Sequence, residues 1–398
     1  MDITIYPHKL RGTLTAIPSK SQAHRLLICA AFSDAMTTLK CPATNQDIEA
    51  TADCLRALGA KIERTDSGYT VQPIENIPES AVLDCHESGS TLRFMLPIAG
   101  ALGVDATFVM AGRLPQRPLS PLWEEMEHCG CSLSRPTMNT IHCIGKLSSG
   151  EYAIDGSVSS QFITGLLYAM ALMPGKSRLT VTGKTESKPY IEMTQRALLA
   201  FGVDTEDYSV SGSYPFKTPG ELTVEGDWSN GAFFLAAKAL GSELEILGLD
   251  PTSAQGDRVA APILEQLDIS ITVNAADIPD LVPILAVAAG AQKGATFTNV
   301  GRLRLKESDR VASVASMLQN LGAQVQVTQE TLTVLPARYH SCTVDAVGDH
   351  RIAMAAAIAA TVADGPVTIL GAQCVAKSYP SFWEEYARLG GIYEQHIR

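Results

Sequence analysis

Six times along this chain a helical apolar run closes on the same phrase, and that repeat restricts the fold more than any other feature. The copies are Leu55-Arg56-Ala57-Leu58-Gly59-Ala60, Met126-Glu127-His128-Cys129-Gly130-Cys131 and Leu198-Leu199-Ala200-Phe201-Gly202-Val203. They continue as Leu264-Glu265-Gln266-Leu267-Asp268-Ile269, Leu318-Gln319-Asn320-Leu321-Gly322-Ala323 and Ala387-Arg388-Leu389-Gly390-Gly391-Ile392. In five of the six a glycine follows the last apolar position. That is where a helix turns into a strand through a left-handed residue. The fourth copy has Asp268, which also tolerates the left-handed region.

The copies recur every 55 to 70 residues or so, longer than the common solenoid periods. Each holds two helical stretches. The first is almost wholly apolar, as in Ile352-Ala353-Met354-Ala355-Ala356-Ala357-Ile358, and should be buried on all sides. The second is amphipathic and carries the repeated ending. Alternating runs such as Tyr69-Thr70-Val71-Gln72 and Leu332-Thr333-Val334-Leu335 read as strands. The unit is a mixed β/α module, and the expected fold class is α/β (α+β). Six modules in 398 residues suit two domains of three, each an inside-out α/β barrel with buried helices. The first domain should span residues 19-223, and the second residues 1-18 plus 224-398. The Pro/Gly-marked segments Thr15-Ala16-Ile17-Pro18 and Thr218-Pro219-Gly220-Glu221 are the expected crossings. Ile3-Thr4-Ile5 is then left to pair with the C-terminal half.

A net charge of −11 argues against a nucleic-acid partner and makes clustered cations more telling. The start Met1-Asp2-Ile3-Thr4-Ile5-Tyr6-Pro7 lacks the pattern of a secretory signal. The apolar stretches 281–289 and 352–363 are too short or interrupted to span a bilayer, so no membrane partner is expected. Nine scattered cysteines fit free thiols in a reducing cytoplasm. His128-Cys129-Gly130-Cys131 and the later His142-Cys143 are metal-ligand types, yet they lack zinc-site spacing. A helix end followed by a half-buried hairpin is the simpler account, and no metal is expected. Dinucleotide, P-loop and nucleophile-elbow signatures are missing, so no cofactor is expected either.

Cations mark four helix starts instead. The segments are Pro18-Ser19-Lys20-Ser21 with Arg25, Gly89-Ser90-Thr91 with Arg93, Lys306-Glu307-Ser308-Asp309-Arg310, and Gly348-Asp349-His350-Arg351. A helix N-terminus carries about half a positive charge, which disfavours a first-turn cation by about 0.3–1 kcal/mol. Four such cases point to small, highly negative ligands, held by backbone N–H groups and guanidinium together. Residue by residue, blander roles compete. Arg93 could be a salt-bridged surface residue, and Lys188 and Arg113 solvated ones. Asp309 and Asp349 read as helix caps, Ser157 as a turn residue, and His24 and His350 as structural.

These segments belong to a longer ordered series. It adds Leu114-Pro115-Gln116-Arg117-Pro118-Leu119, Asp155-Gly156-Ser157-Val158-Ser159-Ser160-Gln161-Phe162 and Ser187-Lys188-Pro189-Tyr190-Ile191. Val224-Glu225-Gly226-Asp227, Ile278-Pro279-Asp280 and Ala376-Lys377-Ser378-Tyr379-Pro380 complete it. Over nearly the whole chain the series resembles the 5-enolpyruvylshikimate-3-phosphate synthases, enolpyruvyl transferases of the shikimate pathway. The resemblance implies two domains of three modules with the site in the cleft between them. It implies transfer of the enolpyruvyl group of phosphoenolpyruvate to the 5-hydroxyl of shikimate 3-phosphate, with release of phosphate. Lys20, Arg117, Arg310, Arg351 and Lys377 would hold phosphoenolpyruvate. Ser21, Arg25, Ser159, Ser160, Ser187 and Tyr190 would hold shikimate 3-phosphate, with Lys306 nearby, Gly89 in the binding turn and Gln161 reaching both ligands. Asp280 would be the base on the 5-hydroxyl. Glu307 would serve proton transfer at the methylene carbon, with Lys20 a further candidate for that work. The first domain would then bind mainly shikimate 3-phosphate, and the second would supply phosphoenolpyruvate-binding and acid–base residues. A cytoplasmic monomer is expected.

Two positions depart from the family pattern. Glu87 stands where many members have asparagine, and Arg302 where an asparagine often contacts shikimate phosphate. An enolpyruvyl transferase acting on UDP-N-acetylglucosamine is the nearest alternative. It normally opens with Lys-Asn and uses a loop cysteine, against Lys20-Ser21 and Arg117-Pro118 here. A non-catalytic protein that binds phosphorylated metabolites is the other. Asp280 and Glu307 argue against it, because carboxylates weaken anion binding.

Overall fold

Among the described residues the apolar runs form twelve helices in six pairs. They are α1 (Lys20–Ala31) with α2 (Gln46–Ala57), α3 (Gly89–Leu102) with α4 (Leu122–His128), and α5 (Ser160–Leu172) with α6 (Lys188–Ala200). Then come α7 (Trp228–Ala239) with α8 (Ala260–Leu264), α9 (Val282–Gly290) with α10 (Arg310–Asn320), and α11 (His350–Ala360) with α12 (Phe382–Arg388). The first helix of each pair is the buried one. Every residue of α9 and α11 is buried, and α3 exposes parts of Ser90 and Leu102 only. Among the described residues no helix is long and apolar enough to cross a membrane.

The computed structural model describes residues 1–396, and they divide into two units. One is Pro18–Val224; the other is Met1–Ile17 with the chain from Glu225 onward. Each has its own apolar core. Each also has three separate sheets, so six in all among the described residues. In two sheets of each unit a parallel strand pair flanks a buried helix. Ser80–Asp84 and Asp105–Val109 flank α3, and Glu151–Asp155 and Lys176–Thr182 flank α5. Ile271–Asn274 and Ala295–Thr298 flank α9, and Cys342–Asp345 and Val367–Leu370 flank α11.

The remaining sheet of each unit shows how the chain passes between units. The strand that leads into α1, Arg11–Thr15, pairs with Glu243–Leu247, which follows α7. The strand that leads into α7, Glu221–Thr223, pairs with Thr37–Lys40, which follows α1. The two leading strands are therefore exchanged at the crossings. Asp2–Tyr6 lies between Val367–Leu370 and Ile392–His396, antiparallel to both.

Local chemistry explains the helix ends. Gly59, Gly130, Gly202, Gly322 and Gly390 take φ between 77° and 113°, where a Cβ would be strained. Asp268 does not follow them into the left-handed region. The chain leaves α8 through tight turns instead, Gln266 N–H to Ile263 O and Leu267 N–H to Leu264 O, and these satisfy the last carbonyls. At the other end, Ser19, Ser88, Ser159, Asp227 and Asp349 each accept a first-turn N–H with the side chain. Five of the six buried helices are capped in this way. These caps lie inside the ordered motifs or, for Ser88, one residue before, so the motif residues fall at the N-terminal ends of buried helices.

The caps also correct one expectation. Arg310 and Arg351 do stand in first helical turns, but Arg25 and Arg93 are the sixth and fifth residues of α1 and α3. Ser19 and Ser88 start those helices early and place both arginines one turn in. The dipole argument therefore holds for two of the four.

Candidate active site

In the unit that contains the C-terminal half, one carboxylate gathers three cations. Asp280 lies in the turn that enters α9. Its Oδ1 accepts from Arg310 Nη1 at 2.7 Å and lies 3.8 Å from Lys306 Nζ. Its Oδ2 accepts from Arg351 Nη2 at 3.0 Å, and its backbone carbonyl accepts from Arg351 Nη1 at 3.3 Å. Burial opposes ionisation of Asp280, but Arg351, Lys306 and Arg310 outweigh it and hold the carboxyl far below the usual range.

Arg310 is fully buried and all three of its guanidinium nitrogens reach carboxylates. Nη2 donates to Glu307 Oε2 at 2.6 Å and Nε to Asp349 Oδ2 at 3.1 Å, besides the bond to Asp280. Asp349 does cap α11, yet it has a second task. Its Oδ2 also accepts from Ser308 Oγ at 3.0 Å. Lys306 is about one-fifth exposed, and burial pushes its ammonium down to about 8 against the pull of Asp280. Lys377 donates to Gly348 O at 2.9 Å, in the turn before α11. Asp280, Lys306, Glu307, Arg310 and Arg351 thus form one ion cluster, with Lys377 at the adjoining turn.

In Pro18–Val224 the candidate residues form neighbouring groups. Lys20 opens α1 and donates to Asp47 Oδ2 at 2.8 Å. Arg25 is buried, donating from Nη1 to Ser21 O at 2.6 Å, Nη2 to Tyr190 O at 2.8 Å and Nε to Thr194 Oγ1 at 2.9 Å. Ser159 caps α5, Ser160 follows it, and Gln161 bridges to α3. Gln161 Nε2 donates to Ser90 Oγ at 2.9 Å, and its Oε1 accepts from Arg93 Nη1 at 3.2 Å. Arg93 is 3% exposed and also donates to Pro118 O at 3.0 Å, which rules out the surface salt bridge considered for it. Pro118 follows Arg117, so Arg93 fastens the Arg117 loop to α3. A Cβ on Gly89 would lie 2.5 Å from Arg117 Nη1 and 2.6 Å from Arg93 Nη1. Gly89 is thus the surface on which both guanidinium groups rest. Ser187 stands buried at the start of α6 with φ 54°.

Sequence reasoning passed over two carboxylates. Asp47 sits in the first turn of α2, where the helix dipole already accounts for an acid, so nothing marked it as the partner of Lys20. Asp257 is 3% exposed and accepts from the Ser229 hydroxyl at the start of α7. Burial, and then the Asp280 carboxylate, push it up to about 7, against Arg351 and Ser229. Backbone strain was likewise invisible. His86, Ser187 and Val347 take φ of 46°, 54° and 46° in the turns before α3, α6 and α11, and for the β-branched Val347 that conformation is costly.

The family model for EPSP synthase (3-phosphoshikimate 1-carboxyvinyltransferase) matches residues 5–277 and 269–386. The chain belongs to the EPSP synthase family. It is 35% identical over 429 residues to the 3-phosphoshikimate 1-carboxyvinyltransferase of Clostridium beijerinckii, covering 99% of this chain and 98% of that one. With the protein of the same name from Clostridium kluyveri the identity is 36% over 417 residues, covering 98% and 97%. EPSP synthase from Acinetobacter baumannii matches with a TM-score of 0.81 at 22% identity, over 99% of this chain and 100% of that chain. An enolpyruvyl transferase from Streptomyces tendae matches with a TM-score of 0.76 at 18% identity, over 100% and 99%. At such identities the two structures bear on the fold alone. Both departures from the EPSP synthase pattern are half-buried. Glu87 lies over Gly112, where a Cβ would come 2.2 Å from its Oε2, and Arg302 lies in the turn before Lys306 and helps to lower it.

Proposed function

We propose that this chain transfers the enolpyruvyl group of phosphoenolpyruvate to the 5-hydroxyl of shikimate 3-phosphate and releases phosphate. The observation that carries the reading is the cluster around Asp280. A protein that only bound anions would gain nothing from carboxylates among its cations. Acid–base chemistry on an anionic substrate needs both.

The reaction removes a proton from the hydroxyl and adds one to the methylene carbon. It then expels phosphate from a tetrahedral intermediate. Asp280 is the base on the hydroxyl, and Glu307 serves the methylene carbon together with Lys20. Held so far below its usual range, Asp280 is a weak base in the free protein. An anion that draws Arg351 and Lys306 toward itself would loosen their hold on Asp280 and raise its basicity when substrate is present. Arg310 spends a bond from each guanidinium nitrogen on a carboxylate and keeps its remaining N–H groups for a ligand. Its part is to hold Asp280 and Glu307 in register, beside its contact with phosphoenolpyruvate. Lys20, Arg117, Arg310, Arg351 and Lys377 take phosphoenolpyruvate. Ser21, Arg25, Ser159, Ser160, Ser187 and Tyr190 take shikimate 3-phosphate with Lys306 nearby, Gln161 reaches both ligands, and the two units close on the pair as a cytoplasmic monomer.

The test is phosphate release by purified protein. It should require both shikimate 3-phosphate and phosphoenolpyruvate. Release with UDP-N-acetylglucosamine as acceptor would favour the rival transferase, and no release with either acceptor would leave a binding protein.

A further inference from the structure

The cysteine-rich segment that the sequence singled out comes apart in the structure, and one part of it reassembles. Cys131 and Cys143 turn into the core. His142 Nε2 pairs with Asp105 Oδ1 at 2.6 Å. Cys129 is half-buried at the edge of that core. It lies at the end of α4 and meets two residues of the preceding turn. Cys129 Sγ donates to Glu125 Oε1 at 3.7 Å, and His128 Nδ1 lies 3.7 Å from Glu125 Oε2. The sulfur, an imidazole nitrogen and a carboxylate oxygen all fall within 4.8 Å of one another.

The two 3.7 Å separations, one to each Glu125 oxygen, are those of metal ligands, and the 4.8 Å limit on the whole set asks for a small side-chain adjustment to close round an ion. Zinc binds nitrogen at about 2.0–2.1 Å, sulfur at about 2.3 Å and carboxylate oxygen at about 2.0–2.2 Å, so tetrahedral ligands stand roughly 3.3–3.8 Å apart. Glu125 is already held in place, because it accepts the Ala153 N–H at 2.6 Å and its side chain is 12% exposed. His128 is exposed and gives access from solvent. A second observation concerns the space beside the trio. A cavity of about 320 Å³ opens there, lined by Glu124, Glu125, His128, Ala153, Ile154 and Asp155 among others. Its lining carries three carboxylates and an imidazole but no lysine or arginine.

We propose that Glu125, His128 and Cys129 form a binding site for a divalent cation of the zinc class, separate from the residues assigned to enolpyruvyl transfer. Thiolate, imidazole and carboxylate together select zinc or cobalt over magnesium or calcium. Three protein ligands leave one position for water. On binding, the thiol proton passes to solvent and the sulfur coordinates as thiolate, so one proton is released for each metal bound. The sequence spacing failed to show the site because the third ligand is Glu125, one helical turn back, rather than Cys131.

Cobalt(II) is the probe, since a thiolate ligand gives it a near-ultraviolet charge-transfer band. Titration of the metal-free full-length protein should produce that band with one equivalent bound. Cys129→Ser should abolish it, and His128→Ala should weaken binding at least about 10-fold. Among the cysteines, Cys129 and Cys342 alone are half-buried and the other seven are buried, so Cys342→Ser is the control and should leave the band unchanged. Far-ultraviolet circular dichroism should show each variant folded, and Glu125→Gln offers a second route if one is not. No band in the wild-type protein, or a band that survives in folded Cys129→Ser, would overturn the proposal. The site rests on the geometry around α4 and stands or falls apart from the transferase reading.

Discussion

Asp280 shows most directly how one side chain can be both an obstacle to binding and a requirement for turnover. It occupies Arg351 and Arg310 through bonds of 3.0 and 2.7 Å. Asp280→Asn should therefore leave affinity for a phosphoenolpyruvate mimic unchanged or tighter, while turnover falls by about 10²–10⁴-fold. Calorimetry beside steady-state rates checks both halves, and unchanged turnover would remove Asp280 from the chemistry. Lys306 makes a pH prediction. With its ammonium pushed down to about 8, it is charged below that pH and neutral above it. The second phosphate ionisation of shikimate 3-phosphate lies near 6 and stays constant there. Affinity should fall above pH 8, approaching tenfold per unit, and the slope should flatten in Lys306→Arg, because arginine keeps its charge. Asp257 makes another, in stability. Its folded value of about 7 lies above an unfolded value of about 3.9. The folded state thus holds a proton that the unfolded state has lost between those values. Its contribution is fully present below about 3.9 and is lost as pH rises through about 7. Asp257→Asn should remove that slope and melt higher than wild type at pH 8. A wild-type melting temperature that rises from pH 5 to 8, with no difference from the variant, would contradict this.

At the scale of elements, two glycines separate packing from function. A Cβ on Gly165 of α5 would lie 2.2 Å from the backbone oxygen of Arg93 in α3. Backbone cannot step aside as a side chain can, so Gly165→Ala should destabilise the protein by at least about 1–3 kcal/mol in urea unfolding. Gly89 faces the guanidinium ends of Arg117 and Arg93 instead. Gly89→Ala should fold normally, yet raise KM for phosphoenolpyruvate more than KM for shikimate 3-phosphate. Equal effects on both would mean that Arg117 is not the group displaced. The six helix pairs were legible because their signals are local. A C′ glycine acts within one turn, and an all-apolar run has to be buried wherever the chain goes. The starts of α1 and α3 were less legible. Ser19 and Ser88 cap earlier than the arginine-centred view allowed, and only the observed bonds to Gln22 N–H and Thr91 N–H place them. Asp268 failed as a left-handed residue because α8 is short and its carbonyls found partners through tight turns.

For the whole molecule, the candidate residues are divided. Lys20, Arg117, Gln161 and Tyr190 belong to Pro18–Val224, while Asp280, Glu307, Arg310, Arg351 and Lys377 belong to the other unit. If both sets serve one pair of substrates, closure of the units on binding is the expected outcome. Solution scattering should show the radius of gyration fall with shikimate 3-phosphate and fall further with a phosphoenolpyruvate mimic. High salt should reduce the change by screening the cations in the free protein. An unchanged radius with both ligands saturating would count against closure. The chain crosses between units at two places, after Ile17 and after Val224. The exchanged strands Arg11–Thr15 and Glu221–Thr223 flank those crossings, so a hinge there would bend between paired strands rather than within a helix.

The residues that end and bury each helix can be read from the chain alone, as can the count of six modules and the family motifs, since each depends on neighbours within a few positions. The electrostatic environment cannot, because it depends on distance in space and on exclusion of water. Arg351 meets Asp280 across 71 residues and Lys20 meets Asp47 across 27. Asp257 is carried to the start of α7 by a loop that Gln255 pins through Trp228 N–H and Gly226 O. Nothing in its immediate sequence says that it will be dry. The cysteine cluster makes the same point in reverse. Spacing argued against any grouping, and the hairpin that it did suggest sends Cys131 and Cys143 inward and leaves Cys129 to Glu125 and His128. Periodicity fixes which face a residue lies on; only the packed chain sets which charges share that face and how much water lies between them.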